Sequence, residues 1–363
     1  MFVVASCTTA VKKSGKKVLS IPKDIKLSPP VEFFKSSYSL SQVGSNEEKD
    51  LAYIFLNKNK KKHEHSQVKM AELGYNKIGV PISMRNHGVT VNRAENYDPV
   101  GFNKNEVIFL STTDEDKEYP KELNRKIEQK FSWPFDNIYP MVLGEIYYRQ
   151  VSSFKQKRLT FRRGYDYHPA VVDQPKGIFF VSRLVSASNS IRYQIHFKSL
   201  HSKLKKMVYE STNLIMFPHV SNDGQLLWVE YNKETNSSSL VRFKQKVNTL
   251  VSSKKKHKIK GATEVILGII GLIHAPKWSG SAQEIILSSN YDDVNNFEIY
   301  EYTIYNQCLK RLTYDHNLNL WPIYGEARPG ELVRYIYTAQ GKDKRFNTYH
   351  NRINPTLPCH TIN

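Results

Sequence analysis

The sequence lacks most of the features by which catalytic and membrane proteins are recognised. No apolar run approaches the ~20 residues that a membrane-spanning helix needs; the longest, 265–273, is interrupted by Gly268 and Gly271. There is no Gly-x-Ser-x-Gly elbow of a serine hydrolase, no glycine-rich phosphate loop and no His-Glu-x-x-His zinc motif. Cysteine is scarce: three in 363 residues, none in a Cys-x-x-Cys pair or beside clustered histidines, so a metal centre built on thiolates is not expected. Acidic residues are outnumbered, 34 against 53 basic, which leaves a net charge of +19. A surplus of this size points to an anionic partner or surface. The lysines gather in residues 1–36 and 254–260, with no recognition helix or zinc knuckle beside them, and no nucleic-acid partner is expected.

What is present begins with the N-terminus. Val4-Ala5-Ser6-Cys7 resembles a bacterial lipobox, in which small residues precede a cysteine that is lipidated after cleavage. Only six residues precede Cys7, fewer than a signal peptide needs, so the true start is expected upstream of Met1. Residues 12–30 are polar, lysine-rich and without a period, as a flexible tether would be. The expectation is a residual signal and tether over 1–30, with one acyl chain on Cys7 as the sole membrane contact, on the periplasmic side of a bacterial envelope membrane. The outer membrane is favoured. Cys308 and Cys359 can pair in such an oxidising compartment, but sequence spacing does not decide it.

The body of the chain repeats. Glu145-Ile146-Tyr147 is followed 13 residues after Glu145 by Arg158-Leu159-Thr160, and nine residues after Thr160 by Pro169. Glu298-Ile299-Tyr300, Arg311-Leu312-Thr313 and Pro322 keep the same 13 and nine, as do Gln194-Ile195-His196, Met207-Val208-Tyr209 and Pro218 with drifted residues. After each proline come a turn and a short apolar strand: Ile178-Phe179-Phe180-Val181, Leu226-Leu227-Trp228-Val229, Ile285-Ile286-Leu287 and, after Pro99, Val107-Ile108-Phe109-Leu110. Tight turns such as Asn222-Asp223-Gly224 between apolar runs signal hairpins. Four antiparallel strands every 45–60 residues or so make a propeller blade. Pro99, Pro169, Pro218, Pro276 and Pro322 mark five blades, and Leu51-Ala52-Tyr53-Ile54-Phe55-Leu56 begins a weaker one before them. The expected fold is therefore all-β, a six-bladed propeller over 31–363, closed by a strand near Val31 to Phe34. An insertion with a short helix is expected over 117–135.

His274-Ala275-Pro276-Lys277-Trp278-Ser279-Gly280, Asn296-Phe297-Glu298-Ile299-Tyr300, Tyr167-His168-Pro169-Ala170 and Asp223-Gly224 resemble the TolB-like propeller repeat across roughly residues 38–355. The resemblance implies the propeller module alone, without the α/β domain that precedes it in TolB. Trp278, Glu298, Tyr300 and Arg311 are expected to brace blades rather than to act on a ligand.

The residues just before each repeat proline should converge at one end of the central channel: Tyr97 and Asp98, Asp166, Tyr167 and His168, Phe217, His274, and Trp321. Aromatic, imidazole and carboxylate groups together suit binding of an envelope protein segment or glycan by a monomeric scaffold without a cofactor. The enzymatic alternative that the resemblance offers is a metal-assisted, oligogalacturonate-type polysaccharide lyase. His63-Glu64-His65 and Asp114-Glu115-Asp116 read as solvated loops rather than metal sites.

Overall fold

A computed structural model describes residues 31–34, 37–43, 51–57, 67–75, 81–89, 96–103, 105–113, 133–136, 138, 144–161, 165–186, 190–252, 262–315, 317–325, 333–340 and 346–361. Cys7, the expected tether, His63-Glu64-His65, Asp114-Glu115-Asp116, the lysine run and the body of the 117–135 insertion lie outside them.

The chain forms strand meanders. β1 (Val31–Phe34) is followed by β2 (Ser37–Val43), β3 (Leu51–Asn57), β4 (Gln67–Tyr75) and β5 (Pro81–Gly88), then by β6 (Asn96–Asn103), β7 (Glu106–Ser111), β8 (Glu145–Gln150) and β9 (Gln156–Arg158). The third meander is β10 (Tyr165–Asp173), β11 (Lys176–Val185), β12 (Ile191–Ser199) and β13 (Lys205–Ser211). The fourth is β14 (Leu214–Val220), β15 (Leu226–Asn232), β16 (Ser237–Phe243), the short helix α1 (Val247–Ser252) and β17 (Thr263–Ile270). β18 (Ile273–Trp278), β19 (Glu284–Ser289), β20 (Glu298–Thr303) and β21 (Cys308–Arg311) precede the last run of β22 (Leu318–Tyr324), β23 (Arg334–Gln340), β24 (Phe346–Arg352) and β25 (His360–Thr361). Among the described residues no helix is long and apolar enough to cross a membrane.

The fold is an all-β propeller whose repeating unit is a four-stranded antiparallel meander. The second strands explain why it closes. β7, β11, β15 and β19 each carry a continuous run of at least four buried residues, such as Ile178 to Val181 or Leu226 to Val229, because neighbouring sheets cover both faces there. The edge strand β13, by contrast, has no fully buried residue.

The number of separate sheets is five, which corrects the expected six. The first two meanders share one eight-stranded sheet, ordered β5-β4-β3-β2-β6-β7-β8-β9, joined by one parallel bridge between Val43 and Gly101. Two innermost strands have come close enough there for a backbone bridge to form. The expected closing strand is present: β1 pairs antiparallel with β24, Val31 opposite His350. At the other terminus β25 adds a fifth strand outside β21, with Cys308 opposite Thr361 and Leu309 opposite His360. Cys308 and Cys359 form a disulfide beside it, their Cα atoms 5.3 Å apart.

The repeated Glu-Ile-Tyr and Arg-Leu-Thr residues build the same brace twice. Arg158 Nη2 lies 2.9 Å from Glu145 Oε1, and Arg311 Nη2 lies 2.8 Å from Glu298 Oε1. Thr160 and Thr313 donate their hydroxyls to the other carboxylate oxygen. Each threonine Oγ1 in turn accepts a backbone N–H, from Ile146 at 2.9 Å and from Ile299 at 2.8 Å. Arg158 and Arg311 also lie over Phe161 and Tyr314, 4.8 and 4.6 Å from the ring centroids. The second brace reaches the next meander through Asn319 Nδ2, which donates to Glu298 at 3.0 Å. Bracing is thus what these residues do.

Candidate functional site

Each innermost strand carries a bulge at the same place. Pairing slips between Tyr38 and Ser41, Tyr97 and Val100, Tyr167 and Ala170, Met216 and His219, His274 and Lys277, and Leu320 and Ile323. In five of these strands the bulge contains the repeat proline, which has no N–H to give to the ladder. The residue before that proline is left-handed every time: Asp98 (φ 44°), His168 (46°), Phe217 (50°), Ala275 (45°) and Trp321 (47°). A left-handed backbone costs about 1–2 kcal/mol for a residue with a Cβ, and such strain persists only where surrounding packing fixes it.

The bulges turn the preceding side chains onto a common axis. The His168 ring stacks on Phe217 at 4.2 Å, Phe217 meets His274 at 4.7 Å, and His274 meets Trp321 at 5.0 Å, one strand to the next. The expected convergence is therefore present, but it is packed rather than open. Tyr167, His168, Phe217, His274 and Trp321 are all buried. Trp133 and Phe135, from the end of the insertion, close the cluster: Phe135 lies 4.9 Å from His274 and 5.9 Å from Phe217, and Trp133 lies 5.5 Å from His168. Phe297 and Phe346 add rings at 5.8 Å from Phe135 and 5.7 Å from Trp321.

Two of the expected residues serve neighbouring strands. Buried Asp166 accepts a hydrogen bond from Ser182 on β11, and Tyr167 donates its hydroxyl to the Ile215 carbonyl on β14 at 2.9 Å. Tyr97 packs half-buried against the core.

The polar part of the axis is Asp98, His168, His219, His274 and Lys277. His168 Nε2 lies 3.6 Å from Asp98 Oδ2. The backbone N–H of Phe217 donates to His168 Nδ1 at 3.1 Å, and that of Trp278 donates to His219 Nδ1 at 3.2 Å. Each ring therefore accepts from the next inner strand, and in the neutral form carries its proton on Nε2. Burial holds His168, His219 and His274 well below the usual imidazole range, and the Lys277 ammonium pushes all three further down. They are neutral donors at neutral pH. Burial also raises the Asp98 carboxyl to about 7, against the opposing effects of the His168 backbone amide and Lys277. It lowers Lys277 to about 8, with Asp98 opposing. Both groups are enclosed deeply enough for desolvation to dominate, yet each keeps some surface open to solvent.

His219 and Lys277 were not among the expected site residues, although a sequence signal exists: both immediately follow a repeat proline, Pro218 and Pro276. The bulge brings the residues on both sides of the proline to the axis. Among the described residues no group of three His, Cys, Asp or Glu is placed to hold a metal ion.

The raised Asp98 has a consequence for stability. A carboxyl whose pKa is higher in the folded state stabilises fully below its unfolded value of 3.8, and that contribution is lost as pH rises to about 7. The excess of the Asp98→Asn denaturation midpoint over the native one should therefore be larger at about pH 7.5 than at about pH 4.5. A difference that stays flat or shrinks over that range would place Asp98 in water.

No protein-family model matches the sequence, and comparison with curated proteins finds no match. Solved structures do match. Puromycin hydrolase is 10% identical over 88% of this chain and 54% of its own, with a TM-score of 0.50. A Trypanosoma rangeli sialidase is 8% identical over 88% and 55%, with a TM-score of 0.51. A protein assigned as TolB from Agrobacterium tumefaciens is 11% identical over 89% and 91%, with a TM-score of 0.48, too low to add to the fold. This chain spans about half the length of puromycin hydrolase. At such identities the likeness is one of propeller fold alone.

Proposed function

We propose that this protein is a non-catalytic binding scaffold of the cell envelope, monomeric and held by a lipid on Cys7, that docks a protein segment or glycan at its axis through a carboxylate on the ligand. The observation that carries this reading is Lys277: a solvent-touching ammonium set among the neutral imidazoles of His168, His219 and His274 and coupled to Asp98. A carboxylate arriving there receives a charge-assisted hydrogen bond in a weakly screened site.

The shared eight-stranded sheet acts as two blades, so the ring is read as six. In support, six inner strands carry the same bulge, and they neighbour one another in a closed cycle of β2, β6, β10, β14, β18 and β22. In a ring of six, β6 and β18 stand on opposite sides, so Asp98 and Lys277 face each other across the axis. An approaching carboxylate is favoured when Asp98 is protonated, which makes capture stronger below neutrality. The lyase alternative needs a metal-binding set of histidines and a carboxylate, and the channel's histidines have Nδ1 engaged by backbone at two of three positions.

Capture from an envelope fraction tests the reading. Lys277→Met is expected to abolish recovery of the component retained by the native chain, with the thermal midpoint nearly unchanged, because the side chain is only half-buried. Undiminished capture, or a loss that merely follows unfolding, would remove the axis as the binding site.

A further inference from the structure

The second and fifth meanders are near copies along their outer halves. Residues 145–161 align with 298–314 without a gap, and the turn residue at the same offset is left-handed in both, Phe154 (φ 56°) and Gln307 (φ 50°). Their outer edges nevertheless differ in one respect. In the fifth, the chain's own tail pairs β25 with Cys308 and Leu309, and Tyr314 packs against a buried cluster that includes Ile353 and Leu357 of that tail. In the second, the matching positions are Lys155, Gln156 and Phe161. Among the described residues no strand lies outside β9. Phe161 is 71% exposed and Phe154 65%.

The backbone of this edge is ready to accept a strand. Gln150 N–H donates to the Lys155 carbonyl at 2.8 Å, and Leu159 N–H donates to the Ile146 carbonyl at 2.7 Å. Residues 155, 157 and 159 thus turn their polar groups toward β8, and alternation turns those of Gln156 and Arg158 outward. Leu309, which corresponds to Gln156, pairs with His360 of β25. The charge at this edge also differs at one position, Lys155 standing where the fifth meander has Cys308, while Lys157 matches Lys310.

We propose that the outer edge of β9 is a docking site for an extended acidic segment of a partner protein, added as one further strand with an apolar side chain resting on Phe161. Backbone pairing supplies affinity, while Lys155, Lys157 and the exposed rings select acidic residues alternating with apolar ones. The site is separate from the axis and does not depend on the function proposed for it.

Fluorescence anisotropy with a labelled Glu-Ile-Glu-Leu-Asp-Val peptide and the full chain tests it. Saturable binding is expected, weakened about tenfold or more by Gln156→Pro, which removes one outward N–H without touching the β8 ladder. Phe161→Ala should weaken it similarly, and Lys155→Glu with Lys157→Glu should transfer preference to a peptide with lysine in place of the acids. No saturable binding to the native chain, or equal binding by Gln156→Pro, overturns the proposal. A concentration-dependent dimer that Gln156→Pro dissolves would also overturn it, by assigning the edge to a second copy.

Discussion

Glu298→Ala is expected to destabilise the propeller by about 3 kcal/mol, because a buried carboxylate shared by an arginine and three other donors is lost. Glu298 is 2% exposed and Arg311 11%, and the carboxylate accepts from Arg311, Thr313, Asn296 and Asn319 together. Its removal leaves Arg311 with Asp292 as its remaining acidic neighbour and takes one acceptor from the Asn319 amide on the neighbouring meander, which keeps Asp315. Glu145→Ala should cost a comparable amount, because Arg158 and Thr160 make the same contacts. Thr313→Val should cost less, about 1–2 kcal/mol, since the ion pair survives. Denaturant midpoints at fixed pH decide the matter. A Glu298→Ala loss below that of Thr313→Val would mean that the ion pair contributes nothing beyond the hydroxyl bond.

Phe135→Ala should be of similar size, about 3–5 kcal/mol, as expected when a fully buried ring leaves a cavity. The ring has no exposed surface and touches its near neighbour Trp133 as well as Phe217, His274 and Phe297, which come from distant parts of the chain. It is the plug that the insertion places on the axis. Beyond the lost midpoint, the variant should open the channel: His274, now covered, should become accessible to a histidine-reactive acylating reagent. A normal midpoint with His274 still protected would show that the inner-strand rings close the axis unaided.

The repeat was legible because blade interfaces impose it. Thirteen residues carry the chain from Glu298 through a hairpin to Arg311 directly opposite Tyr300, and nine residues beyond Thr313 lies the bulge at Pro322. The convergence at the axis was legible for the same reason: a proline cannot donate to the ladder, so its position marks the bulge. The packed state of the axis was not. Trp133 and Phe135 lie in a segment with no repeat counterpart, so no register predicts that they return to the centre. The merged sheet hangs on a single backbone bridge, from Val43 to Gly101, a matter of interstrand distance with no side-chain pattern behind it. The disulfide likewise depends on the tail folding back to bring Cys359 beside Cys308, which spacing alone leaves open. His219 and Lys277 were not legible in the same way, because the repeat marks the residues before each proline, whereas the bulge presents both neighbours.

Docking at the axis is expected to bring the ligand's acidic group to Lys277. Its amine, lowered to about 8, is reactive toward acylating reagents at about pH 8, where ordinary surface lysines remain almost fully protonated. Mass spectrometry of the labelled chain, free and with any component it captures, measures occupancy at that atom directly. The expected result is rapid acylation of Lys277 in the free protein and strong protection in the complex, with surface lysines such as Lys233 and Lys244 labelled equally in both. Equal labelling of Lys277 in the free and occupied protein would contradict it.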